Sequence, residues 1–201
     1  MRIIAHRGLM DGPDKYLENK QVQIVKALEK GFDVEIDVTL KRITKRKNGA
    51  LTFDSYNPQN FEDVDLLELY HDGGLGSTEA LSILDIKEIA ERYPTQIIYL
   101  HAKTVETVAY LTENRVSLAG NIQYFFHAND SVTLTSQGFL WTHPDIKFDS
   151  YKSRYGIWSI AVLPELNMEP SQFREILKDK DIFAVCTDFP NLMKRALKEK
   201  D

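Results

Sequence analysis

The sequence has a single cysteine, Cys186, so no intramolecular disulfide can form. The chain does not need one. At 201 residues it buries roughly 70% of its unfolded surface, enough for one domain without a covalent or metal staple. No apolar run approaches the roughly 20 residues that cross a bilayer, which excludes a transmembrane helix. Ten Gly and seven Pro are too few for a low-complexity chain. Basic residues are not in excess: 25 Lys and Arg face 30 Asp and Glu, a net charge of -5, so no nucleic-acid partner is expected. The run Lys41 to Lys47 is the local exception and reads as a solvated strand end or turn. Met1-Arg2-Ile3-Ile4-Ala5-His6 carries no apolar signal segment, so the expected location is the cytoplasm. No Gly-x-Gly-x-x-Gly follows the first apolar run, which removes a dinucleotide-binding fold.

Short apolar runs alternate with segments of helical period. Runs at Arg2 to Ala5, Phe32 to Leu40, Leu66 to Tyr70, Gln96 to Leu100, Ile122 to Phe126, Ile157 to Leu163 and Ile182 to Cys186 read as strands. Helices are expected at Asn19 to Lys30, Ile83 to Tyr93, Val105 to Arg115, Ser171 to Lys178 and Leu192 to Lys198. In the first, Val22, Val25 and Leu28 share a stripe; Ser82 and Asp85 are spaced as a capping box for the second. Ser131 to Trp141 reads as two short strands with little helix between them. Alternating strands and helices imply an α/β fold of parallel units. About eight strands with short connections favour a pared-down (β/α)8 TIM-type barrel, a single domain over residues 1–201, with an open doubly wound sheet as runner-up. Residues 43–65, rich in turn formers, form a small insertion, hairpin or lid-like.

Chemistry in a parallel barrel gathers where strands end. His6-Arg7-Gly8, His71-Asp72, His101-Ala102-Lys103 and His127 all follow strand runs, so four of the five histidines sit at such ends. Glu35 and Asp37 lie two apart on a strand and face one side. Val34, Ile36 and Val38 are the apolar alternates, so the carboxylates point away from the covering helices. Two desolvated carboxylates side by side repel, and a divalent cation relieves both costs; oxygen ligands suit Mg²⁺ or Ca²⁺. His6 and His71 can act as general acid and base. Arg7 and Lys103 add positive charge for an anionic phosphate ester, a small-molecule phosphodiester. A salt bridge from Arg7 to Glu18 is the competing use of that guanidinium. His127 lines the phosphate site or holds Asp130.

The series His6-Arg7-Gly8, Glu18-Asn19, Glu35-Ile36-Asp37-Val38, His71-Asp72 and Thr187-Asp188-Phe189-Pro190 resembles the glycerophosphodiester phosphodiesterase family across essentially the whole chain. The resemblance implies a (β/α)8 barrel and a metal-dependent phosphodiesterase. It implies His6 and His71 as the acid/base pair, Glu35 and Asp37 as metal ligands, and Arg7 on the phosphate. The family usually shows Glu-x-Lys on its third main strand, the Glu being the third ligand. Here the triplet is His101-Ala102-Lys103, resembling a short divergent subgroup, and His101 takes that ligand position. An imidazole there admits Mn²⁺, Fe²⁺ or Zn²⁺ beside Mg²⁺ or Ca²⁺. Two alternatives stay open: a lyase or phosphotransferase giving a cyclic phosphate, and a non-catalytic phosphate or sugar-phosphate binding protein.

Overall fold

The computed structural model describes residues 1–46, 61–69, 79–118, 120–128, 130–143, 156–166, 168–169, 172–176 and 182–198. His71 lies outside these residues, as does the tip of the 43–65 excursion.

The fold is mixed α/β. Strand β1 (Arg2–Ala5) leads to helix α1 (Gln21–Glu29) and then to β2 (Asp33–Arg46). β3 (Phe61–Leu69) and β4 (Ala80–Leu81) precede α2 (Ile83–Arg92), β5 (Ile98–Ala102), α3 (Val105–Glu113) and β6 (Ile122–Phe126). The short strands β7 (Val132–Leu134) and β8 (Leu140–Thr142) follow as a hairpin, then β9 (Ser159–Val162), α4 (Phe173–Ile176), β10 (Ile182–Thr187) and α5 (Pro190–Lys198). All ten strands belong to one sheet.

Seven strands run parallel in the order β6-β5-β2-β1-β10-β9-β8. Strands β3 and β4 leave this run as an antiparallel side branch from β2. The order advances in one sense through the chain, with the last strand beside the first. It lacks the reversal of strand order that defines a doubly wound sheet. The segment around β7 also bonds to β6: Ser136 N donates to Tyr124 O at 2.7 Å and Thr133 Oγ1 to Phe126 O at 2.9 Å.

Period-two alternation sorts the side chains into two cores. Val34, Ile36, Val38, Ile98, Leu100 and Ala102 pack with Ile24, Leu28, Ile86 and Ile89 of the helices. The opposite face buries Ile4, Tyr99, Phe125, Trp141, Ile160, Val162, Ala184 and Cys186. Glu35, Asp37, His101 and His127 fall on this second parity, beyond the aromatic layer and toward the strands' C-terminal ends.

The expected elements appear with informative shifts. α1 begins after Asn19, which adopts a left-handed conformation (φ 54°) and whose side-chain oxygen accepts from Asp37 N at 3.0 Å. Its buried stripe is Ile24, Ala27 and Leu28, with Val22 turned to solvent. α2 carries the capping box of Ser82 and Asp85. The largest difference is in the excursion: β2 and β3 extend into a long two-stranded ribbon whose register runs from Val38↔Leu69 to Arg46↔Phe61. Alternation of apolar residues does not announce it, because charge pairing holds it. Lys41 meets Glu68 at 3.0 Å and Arg42 meets Asp65 at 2.7 Å, so an acidic partner strand answers the basic run.

Candidate active site

The β1 strand ends in a 3-10 turn, His6–Gly8, with Arg7 at φ 52° and Gly8 at φ 73°. A left-handed non-glycine residue costs free energy and marks a place where the surroundings fix the backbone. Here Arg7 N donates to Glu35 Oε2 at 3.1 Å and Arg7 O accepts from Asn19 N at 2.9 Å. These bonds turn the His6 ring inward and lay the guanidinium across the carboxylates of β2. Arg7 Nη1 donates to Glu18 Oε2 at 3.0 Å, and Nε lies 2.9 Å from Asp37 Oδ2. The last contact is a charge contact, because neither atom has a partner at hydrogen-bonding angles.

His6 is fixed from the far end of the chain. The pairing Ala5↔Thr187 brings Asp188 beside it, and His6 Nδ1 lies 2.7 Å from Asp188 Oδ1. Glu165, after β9, holds that loop: its Oε1 accepts from Asp188 N at 2.7 Å and from Thr187 Oγ1 at 2.9 Å. His6 Nε2 is left toward Glu35, 3.9 Å from Oε2. Burial pulls the His6 pKa down, but the Asp188 bond and the charge of Glu35 outweigh it and raise it above the usual imidazole value. Burial likewise pushes the Glu165 carboxyl up.

Glu35, Asp37 and His101 come together in pairing register, Asp37 directly opposite His101. Both carboxylates are 1% exposed and His101 8%. His101 Nδ1 lies 2.8 Å from Asp37 Oδ1 and 3.5 Å from Glu35 Oε1, and Lys103 Nζ lies 3.4 Å from Asp37 Oδ1. Burial opposes the Asp37 charge; the His101 bond and the cations Arg7 and Lys103 outweigh it and hold the carboxyl far below its usual range. For His101, burial is in turn outweighed by the two carboxylates, and its pKa is raised.

The ligand atoms of Glu35, Asp37 and His101 lie within 4.8 Å of one another. Octahedral ligands at about 2.1 Å from a small cation stand about 3 Å apart, so these spacings fit a bound ion. Formally Glu18, Glu35, Asp37, Asp188 and Glu165 outnumber the permanent cations Arg7 and Lys103 by three, a negative excess that a divalent cation or protons on His6 and His101 reduce.

His101 lies beside both Phe125 (4.7 Å, 15°) and His127 (4.5 Å, 19°), which are themselves 6.1 Å apart. Burial, then the cations around it, lowers the His127 pKa to about 4. His143, which reads as a plain loop residue before Pro144, meets His127 edge-on at 5.4 Å and joins the site. Of the residues expected from sequence, His6, Arg7, Glu35, Asp37, His101, Lys103 and His127 gather at one end of the sheet. Glu165 and Asp188 stand at strand ends in the sequence, after Ile157 to Leu163 and after Ile182 to Cys186, but their partners are not readable there; His143 also follows a strand end, a signal that outweighs its reading as loop.

The same architecture recurs in a solved structure. The chain superposes on a glycerophosphoryl diester phosphodiesterase from Parabacteroides distasonis ATCC 8503 with a TM-score of 0.54. The match covers 99% of this chain and 86% of that one at 15% identity. At this identity the likeness is one of fold. No protein-family model matches the chain, and no curated protein sequence does. Among the described residues, no helix is long and apolar enough to cross a membrane.

Proposed function

We propose that the protein is a metal-dependent phosphodiester hydrolase acting on glycerophosphodiester-like small molecules. The observation that carries this reading is the buried Glu35-Asp37-His101 cluster flanked by His6, Arg7 and Lys103 at the strands' C-terminal ends. The cyclic strand order supports closure of the sheet into a pared-down (β/α)8 barrel, one domain over residues 1–201 with the β2–β3 ribbon as its insertion. The fold of the Parabacteroides enzyme supports the same choice.

Glu35, Asp37 and His101 would hold the cation, which when bound supplies charge neutralisation at the phosphoryl oxygens. Arg7, held by Glu18 and Asp37, and Lys103 bring positive charge to the phosphate. His6 moves a proton at Nε2, because its Nδ1 bond to Asp188 sets the ring and its tautomer. His71 is the second proton-transfer group. One histidine takes the proton of the attacking water or hydroxyl and the other gives one to the leaving alkoxide.

The test is turnover of glycerophosphodiesters with divalent metal present. A His6→Ala protein loses about 10²-fold or more in kcat; full activity in that variant removes His6 from the mechanism. Phosphorus NMR of the product separates hydrolysis from release of a cyclic phosphate. Absence of turnover, with phosphate binding retained, would favour a binding protein.

A further inference from the structure

We infer that the Glu35-Asp37-His101 cluster selects a nitrogen-accepting transition cation, of the Zn²⁺ or Co²⁺ kind, over Mg²⁺ and Ca²⁺. The inference rests on the metal-dependent reading above and concerns which ion the chain prefers.

The donor set is two carboxylates and one imidazole. Mg²⁺ and Ca²⁺ are hard ions that take oxygen almost exclusively, and Ca²⁺ wants six to eight of them. An imidazole nitrogen in a set of three adds little for these ions and much for the later first-row cations. The groups in contact with Asp37 include the cations Arg7 and Lys103, and the nearby Glu18 carboxylate is held by Arg7.

His101 is also built as a ligand that cannot step aside. Its Nδ1 is the atom turned to both carboxylates, at 2.8 and 3.5 Å. Phe125 and His127, 6.1 Å apart, both approach the ring, at 4.7 and 4.5 Å. The pairing register puts His101 opposite Asp37 on one neighbour strand and opposite Phe125 on the other, so the sheet itself sets the ring's place. At 8% exposure the ring is buried among these aromatic neighbours and the two carboxylates. A hard ion seeking a further oxygen therefore cannot displace the ring for water at low cost.

The experiment uses the full chain stripped of metal by a chelator. Co²⁺ is titrated in while its visible absorption bands are followed, and Zn²⁺, Mg²⁺ and Ca²⁺ are then used to displace it. We expect Co²⁺ to bind with bands shifted by nitrogen ligation, and Zn²⁺ to displace it at stoichiometric amounts. Mg²⁺ and Ca²⁺ should need about 100-fold higher concentration. His101→Glu, which supplies an oxygen in place of the nitrogen, should narrow that ratio at least 10-fold while leaving far-UV circular dichroism unchanged. If His101→Glu does not fold, the parent titration decides alone. Displacement of Co²⁺ by equimolar Mg²⁺ or Ca²⁺, or failure of every cation to bind, overturns the inference. The hydrolase reading fails on a different result: tight Zn²⁺ or Co²⁺ binding with no turnover of any phosphodiester. Turnover sustained by Mg²⁺ or Ca²⁺ with no preference for Co²⁺ leaves that reading intact and removes only the selectivity.

Discussion

Replacing Gly8 by alanine tests how the His6–Gly8 turn is held. Gly8 sits at φ +73°, where an L side chain costs about 1–2 kcal/mol. A Cβ there would lie 3.0 Å from Ile24 N and 3.2 Å from Gln23 C. Both are backbone atoms of α1, so no side-chain rotation relieves the contact. Either the turn or the helix must move, and overpacking of this kind costs about 1–3 kcal/mol. Stiffening of the unfolded chain returns about 0.4–1 kcal/mol. The net expectation is a loss of about 2–3 kcal/mol. Gly31→Ala isolates the strain, because Gly31 has a similar φ of +82° but nothing within 4 Å of the new atom; it should lose only about 1 kcal/mol. Urea denaturation reads both as shifts in midpoint at unchanged slope. Because the turn carries His6 and Arg7, Gly8→Ala should also lose activity beyond its loss of stability, whereas Gly31→Ala should not. Equal losses in the two variants would refute the claim that the helix backbone sets the position of this turn.

Asp188→Asn should lower kcat about 10²-fold while leaving the midpoint of unfolding within about 1–2 kcal/mol of the parent, read by steady-state kinetics beside denaturation. Phe125→Ala removes the plate under His101 and should cost about 3–4 kcal/mol, with weaker metal binding seen by titration. Asp33 accepts from Arg2 Nε at 2.6 Å and from Ile97 N at 2.7 Å, away from the site. Asp33→Ala should therefore cost about 2 kcal/mol in denaturation and leave kinetic constants unchanged at temperatures where it is folded. Glu165 has its carboxyl pKa raised by burial, so its charged form costs folding energy as pH rises through the carboxylate range. Glu165→Gln should be the more stable protein at neutral pH, with the gap closing in acid; thermal melts across that range check it.

The helix-covered face was legible because Val34, Ile36 and Val38 alternate with Glu35 and Asp37, and period two admits one assignment. The strand-end rule likewise placed His6, His101 and His127. What sequence did not carry was pairing between distant segments. Asp188 becomes the partner of His6 only because β10 lies beside β1, 182 positions apart in the chain. His143 reads as loop because Pro144 follows it; its neighbour His127 is reached through the β7–β8 hairpin. The outer β2–β3 ribbon has no apolar period to detect, since cross-strand charges rather than burial define it.

The neighbour relation of β1 and β10 bears on how the protein is made. Arg2 to Ala5 leave the ribosome 182 residues ahead of their partners Ala184 to Thr187. At roughly 5–20 residues per second, that interval lasts about 10–40 s. Through it, the backbone edge of β1 and the ring of His6 wait without their mates. The nascent chain thus carries half of a pair, and His6 gains its aspartate only once β10 has been made.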